Sequence, residues 1–158
     1  MYKRQGQFRA GKYVADVAAK GNHAYLVEEY EGLLVIDVSN PANPQQVGGC
    51  STSGYAQGVA VSGDYAYVAA GTAGLLVIDV SNPADPQQVG RYDTSGIARD
   101  VAVKNYYAYV ADGNAGLQVI AVSNPANPQR VGAYDTSGSG LGVAVRVNYA
   151  YVTDGFDG

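Results

Sequence analysis

The segment Glu28–Glu31 is the densest group of acidic side chains in the sequence. Glu28, Glu29 and Glu31 surround Tyr30, and the segment stands where equivalent parts of the chain have glycine-containing turns. Carboxylate oxygens suit a hard cation, and acidic groups also suit a basic partner. A solvated loop explains the same residues without any ligand. No D-x-D-x-D-G calcium-loop pattern accompanies them.

Four other charged residues extend this candidate face for a ligand or partner: Arg99, Asp100, Asp112 and Asp154. Arg99 and Asp100 differ from the residues at equivalent positions elsewhere in the chain, and they could point into a central channel. Asp112 and Asp154 each precede a glycine, a pairing typical of hairpin turns. An exchange between tolerated loop residues explains Arg99 and Asp100 without a ligand, and a hairpin turn explains Asp112 and Asp154.

No set of residues in the sequence satisfies a catalytic or metal-binding pattern. His23 is the only histidine and Cys50 the only cysteine, so a zinc site or an internal disulfide cannot be assembled within one chain. Runs of Tyr-Asp-Thr-Ser-Gly begin at Tyr92 and Tyr134, but G-x-S-x-G is absent and turn hydrogen bonding explains these runs. We therefore predict no catalytic residues, no metal and no cofactor.

Charge and hydropathy disfavour two classes of partner. The net charge is −4 and the ten Lys and Arg residues are dispersed, so no basic stripe suits a nucleic acid backbone. No apolar run approaches the roughly 20 residues of a membrane span. The first residues also lack the apolar segment of a signal peptide. We expect neither nucleic-acid binding nor membrane insertion, and the compartment stays open.

The chain repeats itself with a period of 42 residues. The motif V-S-N-P-A begins at Val38, Val80 and Val122, and each start lies 42 residues after the previous one. The pair Ala-Tyr recurs with the same period, and its last copy ends at Tyr151. Residues 58–99 and 100–141 are identical at 28 of 42 positions. The period indicates four copies of one structural unit.

Each unit reads as four short strands without a helix. In the second copy, Tyr65–Val68 alternates large and small side chains, which is typical of a strand with two packed faces. Ser62–Asp64 and Ala70–Gly74 supply turn residues, and Ser81–Pro86 contains two prolines that exclude helix. Four strands in about 40 residues predict an all-β fold, a β-propeller whose blades are these units.

The segments Val59–Val68 and Gly74–Pro83 resemble the LVIVD repeat family of β-propellers. The resemblance covers nearly the whole chain. It implies the propeller fold and an extracellular or cell-surface setting, and it implies no shared catalytic residues. Ala121 replaces the aspartate found at Asp37 and Asp79, which indicates a turn role for this aspartate.

We predict a single domain over residues 1–158. Its blades span about 12–53, 54–95, 96–137 and 138–158, and an N-terminal strand at 4–10 adds to the last of them. That last blade lacks one strand, so its edge at Tyr149, Tyr151 and Thr153 is open to pairing, with Gln7 and Phe8 in the N-terminal strand. We expect a homodimer that completes a ring of about eight blades. A single-chain ring of four blades and an irregularly assembling fragment are the alternatives.

Three functions are compatible with these features. The first is a non-catalytic scaffold or protein-interaction module that self-associates, with another protein as a further possible partner. The second is binding of a small ligand, carbohydrate or cation, or a hydrolase- or lyase-type activity, at the central channel and acidic loops. The third is a designed or excised propeller fragment without an activity of its own.

Overall fold

The computed structural model describes residue 7 and residues 13–155, and this part of the chain is entirely β-strand, turn and loop. The strands form three four-stranded antiparallel sheets and one two-stranded sheet. Neighbours in each sheet follow one another in sequence, so each repeat is a meander. The prediction of an all-β propeller without helices is confirmed.

The first sheet, blade 1, contains β1 (Val14–Lys20), β2 (His23–Glu28), β3 (Gly32–Asp37) and β4 (Gln45–Cys50). Blade 2 contains β5 (Gly58–Ser62), β6 (Tyr65–Ala69), β7 (Leu75–Asp79) and β8 (Gln87–Tyr92). Blade 3 contains β9 (Asp100–Lys104), β10 (Tyr107–Ala111), β11 (Leu117–Ala121) and β12 (Gln129–Tyr134). Blade 4 contains β13 (Ser139–Arg146) and β14 (Tyr149–Gly155).

The first strands of consecutive blades lie side by side, β1 next to β5, β5 next to β9 and β9 next to β13. They form the inner layer from which each sheet extends outward. Among the described residues, β1 and β13 are not neighbours in this layer, so the four blades form an open series and not a closed ring.

The core lies between blades because alternate side chains of every strand point to opposite neighbours. We call the side of a blade that contacts the following blade its forward face, and the other side its backward face. The forward face of blade 1 and the backward face of blade 2 form one buried cluster, which includes Tyr25, Leu33, Val59, Leu76 and Ile78. The same two faces of blades 2 and 3 form a second cluster, which includes Tyr67, Leu75, Val101, Val110 and Ile120.

The turns between the strands also recur from one repeat to the next. Gly74, directly before β7, has a positive φ of 77°, and a Cβ there would lie 2.3 Å from the carbonyl oxygen of Tyr92. Only glycine meets both conditions without strain. After the same strand, Oδ1 of Asp79 accepts a hydrogen bond of 2.8 Å from the backbone N–H of Ser81. This aspartate closes a turn, in agreement with the role inferred from Ala121.

The blade pattern predicted a fourth blade short of one strand, and β13 and β14 are its two described strands. The outer hydrogen-bonding edge of β14 has no partner strand among residues 13–155. The predicted N-terminal strand at 4–10 lies outside the described residues apart from Gln7, which is exposed, and Phe8 lies outside them as well.

Candidate functional site

Two aspartates at the inner strands tie consecutive blades together. Oδ2 of Asp100 accepts a hydrogen bond of 2.8 Å from the backbone N–H of Val143 in blade 4, and its Oδ1 accepts one from Val101. Asp16 does the same between blades 1 and 2, with a bond of 2.9 Å from Val59 to Oδ2. Asp100 is therefore an inter-blade link whose two oxygens are both occupied.

Burial raises the pKa of Asp100 above its ordinary value of 3.8, although the hydrogen bonds from Val143 and Val101 lower it. The negative charge of Asp16 raises it further.

In successive repeats the position of Asp100 is occupied alternately by aspartate and glycine: Asp16, Gly58, Asp100 and Gly142. A Cβ on Gly58 would lie 2.8 Å from Cα of Asp100, a separation that real structures do not show. The inner layer therefore has room for an aspartate in every second blade. Sequence analysis selected Asp100 and missed Asp16, although the alternation at the repeat period was visible.

Asp112, directly after β10, and Asp154, in β14, each accept a hydrogen bond from the loop that precedes the first strand of their own blade. Asp112 is fully buried; the hydroxyl of Thr94 donates to Oδ1 at 2.6 Å and the N–H of Gly96 to Oδ2 at 3.0 Å. Burial raises the pKa of Asp112 despite these two bonds. Asp154 is exposed, and the hydroxyl of Thr136 donates to it at 3.3 Å.

Blade 2 lacks this aspartate, because Ala70 occupies the equivalent position. The hydroxyl of Thr52, which is equivalent to Thr94 and Thr136, is buried without a hydrogen-bond partner among the described residues. The substitution in one repeat thus leaves an unsatisfied polar group in the same loop that the other repeats use for a hydrogen bond.

The Glu28–Glu31 segment divides into a buried and an exposed part. Glu28 is 3% exposed and makes interactions within the fold. Tyr30 is exposed, and its ring meets that of Tyr55 edge-on with centroids 5.2 Å apart, which links blade 1 to the loop before blade 2. Glu29 is half-buried and Glu31 is exposed.

Among the described residues, no group of three or more histidine, cysteine, aspartate or glutamate side chains is arranged to hold a metal ion. No described helix is long and apolar enough to cross a membrane. The structure therefore adds no metal centre to the candidate face.

Blade 4 and blade 1 expose faces that are buried between other blades. Tyr25 and Tyr67 are each 4% exposed on the forward faces of blades 1 and 2, whereas the equivalent Tyr151 is 59% exposed on blade 4. On the backward faces, Val59 is 5% exposed and the equivalent Val17 of blade 1 is 57% exposed. Tyr149 and Thr153 are exposed beside Tyr151.

A cavity of about 380 Å³ adjoins the open edge of β14. It is lined by Leu117 of blade 3 and by Ala150 and Val152 of blade 4, among others. In blade 2 the third strand places Leu76 and Ile78 in the corresponding interface, fully or almost fully buried. The cavity is therefore the space that a third strand occupies in the other blades.

Sheets of four antiparallel strands that pack face to face around an inner layer of first strands define a β-propeller. The LVIVD repeat matches residues 11–52, 53–94, 95–136 and 137–158, so the chain belongs to the LVIVD repeat family. No curated protein matches the sequence.

Several solved structures share the fold. The computationally designed Ika4 protein is similar over 98% of this chain and 93% of its own, with a TM-score of 0.80 and 8% identity. The designed Ika8 protein is similar over 87% of this chain and 42% of its own, with a TM-score of 0.72 and 11% identity. BamB from Moraxella catarrhalis is similar over 87% of this chain and 40% of its own, with a TM-score of 0.68 and 12% identity. At these identities the likeness concerns the fold alone, and the chain spans about two-fifths of Ika8 and BamB.

Proposed function

We propose that this chain is a non-catalytic propeller module that self-associates, with the forward face of blade 4 in one copy packed on the backward face of blade 1 in another. The observation that carries the proposal is the exposure of Tyr151 and Val17, whose equivalents Tyr67 and Val59 are buried between blades. Surfaces of one repeat that pack together inside the chain are complementary by construction.

The two exposed faces lie at opposite ends of the blade series, so each copy offers one of each. Two copies joined at both ends form a closed pair with twofold symmetry and a ring of about eight blades. The open edge of β14 lies beside this interface and offers the partner backbone hydrogen bonds in addition to the exposed face. An extracellular or cell-surface setting, which the repeat family implies, belongs to the proposal.

Light scattering coupled to size-exclusion chromatography tests it. A particle of about twice the 16.4 kDa chain mass is expected. Tyr151→Asp places a charge in the centre of the interface and is expected to yield the single-chain mass. Tyr106→Asp is the control, because Tyr106 is also exposed, at 68%, but lies in the turn between β9 and β10. A wild-type mass near 16.4 kDa would contradict the proposal and favour closure within one chain.

A further inference from the structure

A cavity of about 320 Å³ opens on the loop face where the β10–β11 loop of blade 3 meets the start of β13. Its polar lining consists of Arg99, Ser95, Asn114 and Ser139. The backbones of Gly113 and Gly140 are hydrogen-bonded to each other in both directions at this junction, so the two blades are fixed relative to one another there.

The cavity exists because the repeat is broken at this junction. Between blades 1 and 2 the equivalent positions of Asn114 and Ser139 are Tyr30 and Tyr55, whose rings contact each other. Between blades 2 and 3 they are Thr72 and Ile97. Two small polar residues thus replace an aromatic pair, and they leave space lined by hydroxyl and amide groups.

Arg99, which also lines the cavity, is a second residue that differs from its equivalents in the other repeats. The equivalent residues in blades 1, 2 and 4 are Ala15, Gln57 and Leu141, so a cation occurs here once. Nε of Arg99 is buried and has no hydrogen-bond partner among the described residues, and the one ion pair in that part of the chain joins Arg91 to Asp93. An unsatisfied buried donor on a charged group is costly, and it indicates a missing acceptor.

We propose that this cavity is a binding site for a small molecule that bears an oxyanion, a carboxylate or a phosphate group, which Arg99 binds through its guanidinium. A planar guanidinium matches both groups with paired N–H donors. The hydroxyls of Ser95 and Ser139 and the amide of Asn114 donate to the remaining oxygens. A volume of about 320 Å³ lies at the lower end of the range for small-molecule sites, which excludes a folded partner.

The surroundings set the expected affinity. The chain carries a net charge of −4, and Asp100 and Asp112 lie near the cavity, although their oxygens already accept hydrogen bonds from within the fold. A single cation in an acidic protein binds a free anion weakly, so we expect a dissociation constant of about 1 mM for a simple probe.

Nuclear magnetic resonance titrations with acetate, malonate and inorganic phosphate at constant ionic strength test the site. The side-chain Nε–H of Arg99 and the backbone amides of Gly96 and Gly113 report on it, because these glycines also line the cavity. Saturable shifts at these three positions are expected. Shifts with acetate or malonate alone assign the carboxylate, shifts with phosphate alone assign the phosphate, and shifts with both assign a general oxyanion site.

Two variants take their new residue from another repeat and are therefore compatible with the fold. Arg99→Gln introduces the residue found at Gln57 and is expected to weaken binding at least tenfold. Ser139→Tyr introduces the residue found at Tyr55 and is expected to fill the cavity while Arg99 is retained. Arg91→Gln removes an exposed arginine outside the cavity and is the control. Absence of saturable shifts with all three probes, or equal binding by Arg99→Gln, would overturn the proposal.

Discussion

At the scale of single residues, the departures from the repeat carry more information than the repeat itself. Thr52, Thr94 and Thr136 occupy one position in three loops, and two of them donate to an aspartate. The third faces Ala70 and has no partner among the described residues. The loops are otherwise alike: a Cβ on Gly54 would lie 2.4 Å from the carbonyl oxygen of Ala70, and one on Gly96 would lie 2.0 Å from that of Asp112.

Ala70→Asp is therefore expected to rebuild the missing interaction. The new carboxylate would accept from the hydroxyl of Thr52 and the N–H of Gly54, as Asp112 accepts from Thr94 and Gly96. The new carboxyl satisfies the buried hydroxyl of Thr52, so we expect the free energy of unfolding to rise by about 1 kcal/mol. Because burial raises the pKa of the equivalent Asp112, this gain should be larger at low pH than at neutral pH. Urea denaturation measures it.

The control for this prediction is Thr52→Val, which removes the unsatisfied hydroxyl and keeps the side-chain shape. In the Thr52→Val background the new aspartate lacks the hydroxyl that donates to it. The increase in the free energy of unfolding should therefore be smaller or reversed. An equal gain with and without the Thr52 hydroxyl would show that the two residues do not interact.

At the scale of strands and loops, the inner layer sets the spacing of the blades. Asp16 and Asp100 each accept a backbone N–H from the next blade, and Gly58 lies between them because a side chain there would collide with Asp100. These contacts join residues 43 positions apart in sequence, so they fix the angle between whole sheets.

The pKa of Asp100 predicts a pH dependence of stability. Its pKa in the folded chain is raised above the ordinary value of 3.8, so the folded state binds more protons than the unfolded state between these two values. The contribution of the Asp100 carboxyl to the free energy of unfolding is therefore fully present below pH 3.8. It is lost as the pH rises through the pKa of Asp100 in the folded chain. Asp100→Asn removes this dependence.

We expect the free energy of unfolding of Asp100→Asn, relative to wild type, to increase from about pH 4 to about pH 7. Urea denaturation across that range measures the difference. Asp64→Asn, which alters an exposed residue in the β5–β6 turn, controls for the general loss of one negative charge. A decrease in the relative stability of Asp100→Asn over the same range would contradict the raised pKa.

The sequence predicted the strands well because period-two alternation and turn residues are local properties. The pattern predicts a strand over Tyr65–Ala69, and β6 has the same bounds. The contacts between blades are harder to predict from the sequence, since they depend on which residues of different repeats lie next to each other. Asp112 was grouped with surface residues because its Asp-Gly sequence suits an exposed turn, whereas the structure buries it against Thr94. The Arg99 cavity depends on which residues two distant segments bring to one junction, here Asn114 and Ser139.

At the scale of the whole molecule, the blade series has two unmatched ends. The likeness to nearly all of Ika4 and to two-fifths of Ika8 means that the same four-blade arrangement occurs in structures of different total length. The first strands of consecutive blades lie side by side, but the four blades do not close into a ring among the described residues. The exposed Tyr151 and Val17 faces are the surfaces that the proposed self-association would bury.

Adding a third strand beside β14 tests directly whether the open edge of blade 4 directs association. A second copy of residues 33–42 placed after residue 158 continues the repeat, because Gly158 is equivalent to Gly32 and Gly74. Its second residue, equivalent to Leu34 and Leu76, would enter the cavity beside Leu117. Burial of one leucine contributes about 2 kcal/mol, which raises the unfolding midpoint by roughly 4 °C or more.

We expect the extended chain to show a higher midpoint in thermal denaturation. We also expect a changed distribution of masses in light scattering, because the extension occupies the edge through which we propose that copies pair. An extension of ten glycine and serine residues is the control, since it adds equal length without strand-forming or apolar side chains. If both extensions leave the midpoint and the mass as they are in the original chain, the open edge of β14 does not direct association, and the exposed faces of blades 1 and 4 must account for it alone.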